Sequence, residues 1–312
     1  MDNILGLVGI KNIGNTCYLN SILQCLFHSK KLIIELINIK ESIQQIDNGN
    51  IPLTKDFMNL IQLVWFNNTN EIVPNLFKSI LGKLDSNYNS MEQMDSHECL
   101  VCILDIITEE LLKENLLVDN KIEGIEGIEK PTAIHNVFYG LFETIIICEN
   151  QHKTTTLEPF VDISIPITNG DNLVELIGNF EQNEKLEDDN KFFCDDCNMM
   201  VNAQKQITIK NLPNDILIIH LKRFQTINVR FFVNIVKLEK MVNYPLQLNL
   251  KDKQYHLFGV VNHIGNPRFG HYYSYIKHIN SKWYELNDSN ISELDENKIV
   301  NNNAYILFYQ VE

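Results

Sequence analysis

Three short stretches of this 312-residue chain carry residue types that could share one piece of covalent chemistry. Cys17 stands in Asn12-Ile13-Gly14-Asn15-Thr16-Cys17-Tyr18, where an irregular Gly-containing loop gives way to an amphipathic pattern. A thiol at a helix N-terminus feels the positive end of the macrodipole and unpaired backbone N–H groups, and both favour the thiolate. Those N–H groups, with the Asn12 side chain, are donors of the kind that stabilise a developing oxyanion. Far downstream, His271 follows a Gly-bearing loop and opens an aromatic strand pattern; Gly270 before it has no side chain, so a substrate backbone can approach closely. The stretch Trp283-Tyr284-Glu285-Leu286-Asn287-Asp288-Ser289 ends in a polar pair. A catalytic imidazole needs an acceptor to fix its tautomer and stabilise its cation, and either Asn287 or Asp288 can serve. Each part has an ordinary alternative: a buried Cys starting a helix, a strand-edge His, and Asn-Asp-Ser as plain turn chemistry. Together they have the chain order and spread of a nucleophilic Cys…His…Asn/Asp site, assembled by folding.

Such a site needs elements to hold it. Leu19, Ile22, Leu23, Leu26 and Phe27 form one helical face directly after Cys17, and Leu100, Ile103, Leu104, Ile107 and Leu111 repeat the pattern after Asp95. Asp95 with Glu98 three residues on predicts a capping box. Residues 114–135 break the pattern with an acidic Gly-punctuated run ending at Pro131, which predicts a mobile loop. The polar segment Gly170–Asn190 carries one short helix, Leu173–Phe180. The second half reads as strands: Thr144–Cys148, Phe160–Ile167, Gln206–Ile209, Ile216–Leu221, His256–His263, Tyr272–Lys277, Lys282–Glu285 and Ala304–Tyr309. Helices first and strands later predict an α+β protein of one domain, 1–312.

The formal net charge of −14, from 26 Lys+Arg against 40 Asp+Glu with no basic cluster, argues against nucleic acid or an anionic membrane and suits a cationic peptide. The same charge also serves plain solubility. Asp2 directly after Met1 gives no basic-then-apolar leader, and no apolar run approaches the roughly 20 residues of a membrane span. Seven Cys, an odd and sparse set, fit free thiols in a reducing compartment. The expectation is a soluble protein of the cytoplasm or nucleus.

The motifs resemble those of the ubiquitin-specific protease catalytic domain, in that family's order, from about Gly6 to Tyr309. They are the Cys box Gly9–Gln24, Gln93-Met94-Asp95-Ser96-His97-Glu98, His220-Leu221-Lys222-Arg223-Phe224, Tyr244-Pro245-Leu246 and the His box Gly270–Asp288. The resemblance implies a papain-like core with a helical thumb (6–113), a β-sheet palm (213–312) and fingers (136–212). It implies a thiol-dependent ubiquitinyl hydrolase with no catalytic cofactor. Ubiquitin and ubiquitinated proteins would be the partners, with the activating partner left open. By position Cys17 is the nucleophile, His271 the base and acid, Asn12 the oxyanion donor, and Asn287 or Asp288 the residue orienting the imidazole. Asp95 and Glu98 would recognise the cationic ubiquitin tail, with Gln93, Gly270 and Tyr272 beside them.

Two departures stand out. Cys99 replaces the aromatic usual after His-Glu. The family's fingers carry two Cys-x-x-Cys pairs for zinc; Cys194-Asp195-Asp196-Cys197 is intact, but Cys148-Glu149-Asn150-Gln151-His152 has Gln at the second Cys position. Either His152 completes a structural Cys₃His zinc site or the site is lost. Rival readings are an inactive ubiquitin-binding scaffold, which the complete Cys17, His271, Asn12 and Asn287-Asp288 set opposes, and an isopeptidase for another ubiquitin-like modifier. A purely structural zinc protein would explain only the fingers.

Overall fold

The computed structural model describes residues 4–47, 49–118, 131–229, 232–267 and 269–311. The first third is helical: Cys17–Phe27, Lys30–Asn38, Lys40–Gln45, Pro52–Phe66, Asn75–Leu84 and Ser96–Lys113. The helix Cys17–Phe27 is buried along its whole length, beyond the single apolar face that its spacing predicts. Its polar residues therefore need partners. Gln24 donates to the Val8 carbonyl at 2.8 Å, Ser21 to the Tyr18 carbonyl at 3.0 Å, and Asn20 reaches outside the helix, as described below. No helix among the described residues is long and apolar enough to cross a membrane.

An eight-stranded sheet packs against this lobe. Its order is Asn290–Leu294, Trp283–Asn287, Gly270–Lys277, Lys253–Gly265, Ala304–Val311, Ile216–Lys222 and Asp162–Pro166, with Gln247–Leu250 also on Lys253–Gly265. Ile216–Lys222 is buried on both faces except at its end, which is why it reads as an unbroken apolar run. Ile216 and Ile218 face the helical lobe, while Leu217, Ile219 and Leu221 join a second core on the far side, as period-two alternation requires. The helix Leu173–Phe180, capped by Asn172, lies in that second core.

A separate sheet, in the order Lys153–Phe160, Gly140–Cys148, Ala203–Asn211 and Glu184–Leu186, projects toward a small ribbon of Phe192–Cys194 and Met199–Val201. The molecule is thus α+β.

Several sequence expectations change in detail. Within the predicted loop 114–135, residues 119–130 lie outside the described residues, while a helix Ala133–Phe138 opens at its end, capped by Thr132. The predicted strand Phe160–Ile167 is two elements, Lys153–Phe160 and Asp162–Pro166. The second lies in the range expected for the fingers, yet it pairs in parallel with Ile216–Lys222 of the main sheet. The hairpin strands Phe224–Val229 and Phe232–Lys237 were not legible as strands.

Candidate active site

Cys17 is the first residue of its helix and is almost fully buried. The loop before it winds around one atom. Asn12 Oδ1 accepts from the Gly14 N–H at 3.1 Å, the Thr16 N–H at 3.1 Å and the Thr16 hydroxyl at 3.4 Å. Gly14 and Asn15 take positive φ, 114° and 53°, to make that wrap. The other end of the same amide, Nδ2, donates to Asp288 Oδ2 at 3.0 Å. An amide NH₂ has two hydrogens, and this bond uses one.

Asp288 sits in the two-residue turn of the hairpin Trp283–Asn287/Asn290–Leu294, at φ 51°. A tight hairpin of this kind demands positive φ, which Asn and Asp tolerate. The turn reading and the functional reading of Asn287-Asp288-Ser289 are therefore both satisfied. Asp288 Oδ1 accepts from Asn20 Nδ2 at 2.8 Å, and its backbone carbonyl accepts from the Ile10 N–H at 2.9 Å. One aspartate thus joins the sheet to the loop and to the helix that bear Asn12 and Cys17.

His271 is supported by Asn287, the residue before Asp288. Its Nε2 meets Asn287 Oδ1 at 2.7 Å, and Asn287 Nδ2 points to Glu285 Oε1 at 3.5 Å, which sets the amide with its oxygen toward the ring. The Nε2 position then carries the hydrogen, leaving Nδ1 for the thiol. His271 is hydrogen-bonded to Cys17, and this raises its pKa from 6.5 to about 9 against the opposing effect of burial, with Asn287 and the Cys17 and Asp288 charges adding to it. Asn287 touches the imidazole, whereas Asp288 holds Asn12 and Asn20.

A family model described as "Ubiquitin carboxyl-terminal hydrolase" matches residues 8–309. The chain belongs to this family. It is similar to human "Ubiquitin carboxyl-terminal hydrolase 2", 27% identical over 340 residues covering 98% of this chain and 55% of that protein. It is also similar to Saccharomyces cerevisiae "Ubiquitin carboxyl-terminal hydrolase 8", 28% identical over 98% of this chain and 71% of that protein. The chain spans about half the length of human hydrolase 2. Among solved structures it matches the "SAGA Ubp8/Sgf11/Sus1/Sgf73 DUB module bound to ubiquitin aldehyde", with a TM-score of 0.82 and 26% identity, over all of this chain and 71% of that one.

The family's substrate-binding candidates meet at the cleft between helical lobe and sheet, in unequal condition. Asp95 caps Ser96–Lys113 through Oδ1, which accepts from His97 and Glu98 N–H at 2.7 and 3.2 Å. Its Oδ2 accepts from Tyr305 and Tyr272 hydroxyls at 2.6 and 3.5 Å. A carboxylate offers about four lone-pair sites, so these contacts occupy Asp95, while Glu98 remains exposed. Tyr272 is buried beneath Asp95 and is placed to support it rather than to present a substrate surface. Gly270 is required for a reason other than substrate approach alone: a Cβ there would stand 2.0 Å from His263 Nε2. Gln93 bonds both backbone groups of Gly270. Cys99 is wholly buried in the helical core.

In the fingers, Cys148, His152, Cys194 and Cys197 place one donor atom each within 4.8 Å of all the others. His152 Nδ1 lies 3.2 Å from Cys197 Sγ and 3.6 Å from Cys194 Sγ, and the His152 N–H donates to Cys148 Sγ at 3.3 Å. A tetrahedral zinc with Zn–S of about 2.3 Å and Zn–N of about 2.0 Å separates its donors by roughly 3.5 Å, so the set fits. Gln151 takes φ 66°, and this left-handed turn absorbs the extra residue and brings His152 within reach of the three thiols.

A second convergence, His97, Asp162 and His220, is of another kind. His97 Nε2 and Asp162 Oδ2 are 3.0 Å apart, and the two imidazoles stack at 3.8 Å and 17°. Nearly parallel rings aim their in-plane lone pairs alongside one another, not at one point. Burial holds the His220 imidazole neutral, its pKa down to about 3. This is a hydrogen-bonded seam between the helical lobe and the sheet.

Sequence reading missed Asn20, Tyr305 and His263. Asn20 had a signal, a polar residue inside a buried helix; the other two are strand residues whose partners only folding supplies.

Two outcomes follow from this geometry. In Cys17→Ala the leading cause of the His271 shift is gone, so its imidazole titration midpoint, followed by NMR, should fall from about 9 toward 6.5. An unmoved midpoint would place the cause elsewhere. Asp288→Ala should lower kcat by roughly 10²-fold, the scale of losing one oxyanion donor, with a smaller fall in that midpoint than Cys17→Ala gives. Asn287→Ala should instead disturb the imidazole titration itself.

Proposed function

We propose that the protein is a deubiquitinating cysteine protease acting at the C-terminal glycine of ubiquitin in thioester, isopeptide or peptide linkage. The observation that carries this is the assembled Cys17–His271–Asn287 array with Asn12 and Asp288 beside it. The relatives' names support it, as does the ubiquitin aldehyde bound in the similar Ubp8 module.

The steps follow from the atoms. The Cys17 thiolate attacks the carbonyl carbon of the terminal glycine, and the carbonyl oxygen takes up negative charge. The free Asn12 Nδ2 hydrogen and the backbone N–H groups at the start of Cys17–Phe27 are the donors nearest that charge. His271, protonated at rest, gives its Nδ1 proton to the departing lysine amine as the C–N bond breaks. Neutral His271 then takes a proton from water, whose oxygen attacks the thioester. Collapse of that intermediate releases the glycine carboxylate and restores the thiolate. Asp288 acts through Asn12 and Asn20 and is a positioning residue.

The exposed Glu98 is the better carboxylate for a cationic tail, Asp95 being fully engaged. In the fingers, Cys148, His152, Cys194 and Cys197 would hold a structural zinc that fastens the ribbon to strand Gly140–Cys148. The free thiols agree with a reducing compartment, cytoplasm or nucleus.

Reaction with a ubiquitin probe carrying a C-terminal electrophile, read by mass, tests the reading. One adduct is expected, lost in Cys17→Ala. Labelling by a probe built on another modifier, with none by ubiquitin, would redirect the substrate. For the metal, protein purified without added zinc should carry about one equivalent, and His152→Ala should lose it. Well-folded, metal-free, active protein would remove the zinc site.

A further inference from the structure

The segment just before helix Ser96–Lys113 spans the mouth of the catalytic cleft. At one end, Asn15 Nδ2, two residues before Cys17, donates to the Met91 carbonyl at 2.8 Å. At the other, the Gln93 side chain grips the residue before His271: Nε2 donates to the Gly270 carbonyl at 2.9 Å, and Oε1 accepts from the Gly270 N–H at 3.0 Å. Met91, Glu92 and Gln93 are all exposed. A short exposed strap therefore joins the cysteine loop to the histidine hairpin.

The bonds at Gly270 have a distinctive form. A strand residue sends its N–H and C=O to the same side. Gly270 faces Gly265 across its hairpin, while Trp283–Asn287 pairs with the other edge only from Ser274 to Lys277. Toward Gln93, Gly270 thus presents an edge that no strand covers among the described residues. A primary amide satisfying both groups of one residue does what the backbone of an added strand would do there. The face of Gly270 is closed by His263, so a ligand must approach along the edge. That edge immediately precedes His271. The last residues of an extended chain entering between thumb and palm toward Cys17 would run beside it.

We infer that Gln93 is a displaceable stand-in for the substrate tail: its side-chain amide holds the strand edge at Gly270 closed, and an extended C-terminal tail must replace it with its own backbone. This rests on the proposed function and revises the part expected of Gln93, from a residue that binds the tail to one that competes with it. The Asn15–Met91 bond keeps the strap close when Gln93 lets go, so the closed form re-forms after product leaves. The closed fraction reduces apparent substrate affinity in proportion, without touching the chemical step.

Initial rates with ubiquitin carrying a C-terminal fluorogenic amide decide the matter, comparing the unaltered protein with Gln93→Met, which keeps the length and loses both bonds, and Gln93→Ala. Two neutral hydrogen bonds at an exposed site correspond to a KM about threefold to tenfold lower in both variants, with kcat within twofold. An unchanged or raised KM overturns the inference, a raised one returning Gln93 to tail binding. A kcat loss above tenfold also overturns it, making Gln93 a residue that positions His271. Absence of turnover in the unaltered protein would instead remove the functional reading, and this inference with it.

Discussion

A single carboxylate joins the two halves of the candidate active site. Cys17 and Asn12 belong to the helical lobe, and His271 and Asn287 to the sheet. Asp288, in a turn at the sheet's edge, accepts from Asn12 at 3.0 Å and from Asn20 at 2.8 Å, while its own carbonyl takes the Ile10 N–H. A charged acceptor bonded to two amides is stronger than neutral pairs and directional enough to fix register. Gly9 confirms how tightly the halves meet, since a Cβ there would stand 2.7 Å from the Ser289 carbonyl oxygen.

The remainder of the fold repeats the same device, a polar side chain from one element satisfying backbone groups of another. Glu110, buried in Ser96–Lys113, accepts from the Leu53 and Thr54 N–H groups and the Thr54 hydroxyl, closing the start of Pro52–Phe66, where Pro52 itself lacks a donor. Arg223, wholly buried, donates to the carbonyls of Ala304, Leu238 and Lys240 at 2.6 to 3.0 Å. That anchors the chain where Ile216–Lys222 leaves the sheet. The segment His220–Phe224 thus serves the fold at two of its residues: Arg223 here and His220 in the seam with His97. Buried charge of this kind is costly unless bonded, and these bonds fix each lobe internally, Glu110 within the helices and Arg223 within the sheet side.

How much of this is legible in sequence depends on how local the cause is. The helix after Cys17 and the strand Ile216–Leu221 are fixed by short-range periodicity and are read correctly. The approach of His152 to the finger thiols is also local, since His152 follows Cys148 by four residues and needs only one left-handed turn, at Gln151. The pairing of Phe224–Val229 with Phe232–Lys237 escapes because no Gly-, Asn- or Asp-based turn signal stands between the two runs in the sequence. The strand Asp162–Pro166 falls in the main sheet because its partner, Ile216–Lys222, is some fifty residues away in a parallel pairing that no adjacent pattern announces. The same limit applies to the site. Residue types alone allow Asn287 or Asp288 beside the imidazole; only the hairpin shows that the strand-end Asn287 and the turn residue Asp288 point to different places.

This division has a chemical consequence. An amide cannot share charge with an imidazolium as a carboxylate can, so Asn287 fixes the ring without doing most to hold its proton. The leading cause of the raised His271 pKa is instead Cys17 itself. In the proposed reaction that support would last only while the sulfur is unacylated. A thioester sulfur would no longer offer His271 that bond, and the imidazole would lose its leading support. Its affinity for a proton would then fall just after it has given one to the leaving amine. Neutral His271 is the form required to take a proton from water. In the proposed reaction, placing the amide against the ring and the carboxylate one step away, on Asn12 and Asn20, would let one histidine hold its proton before acylation and act as a base after it.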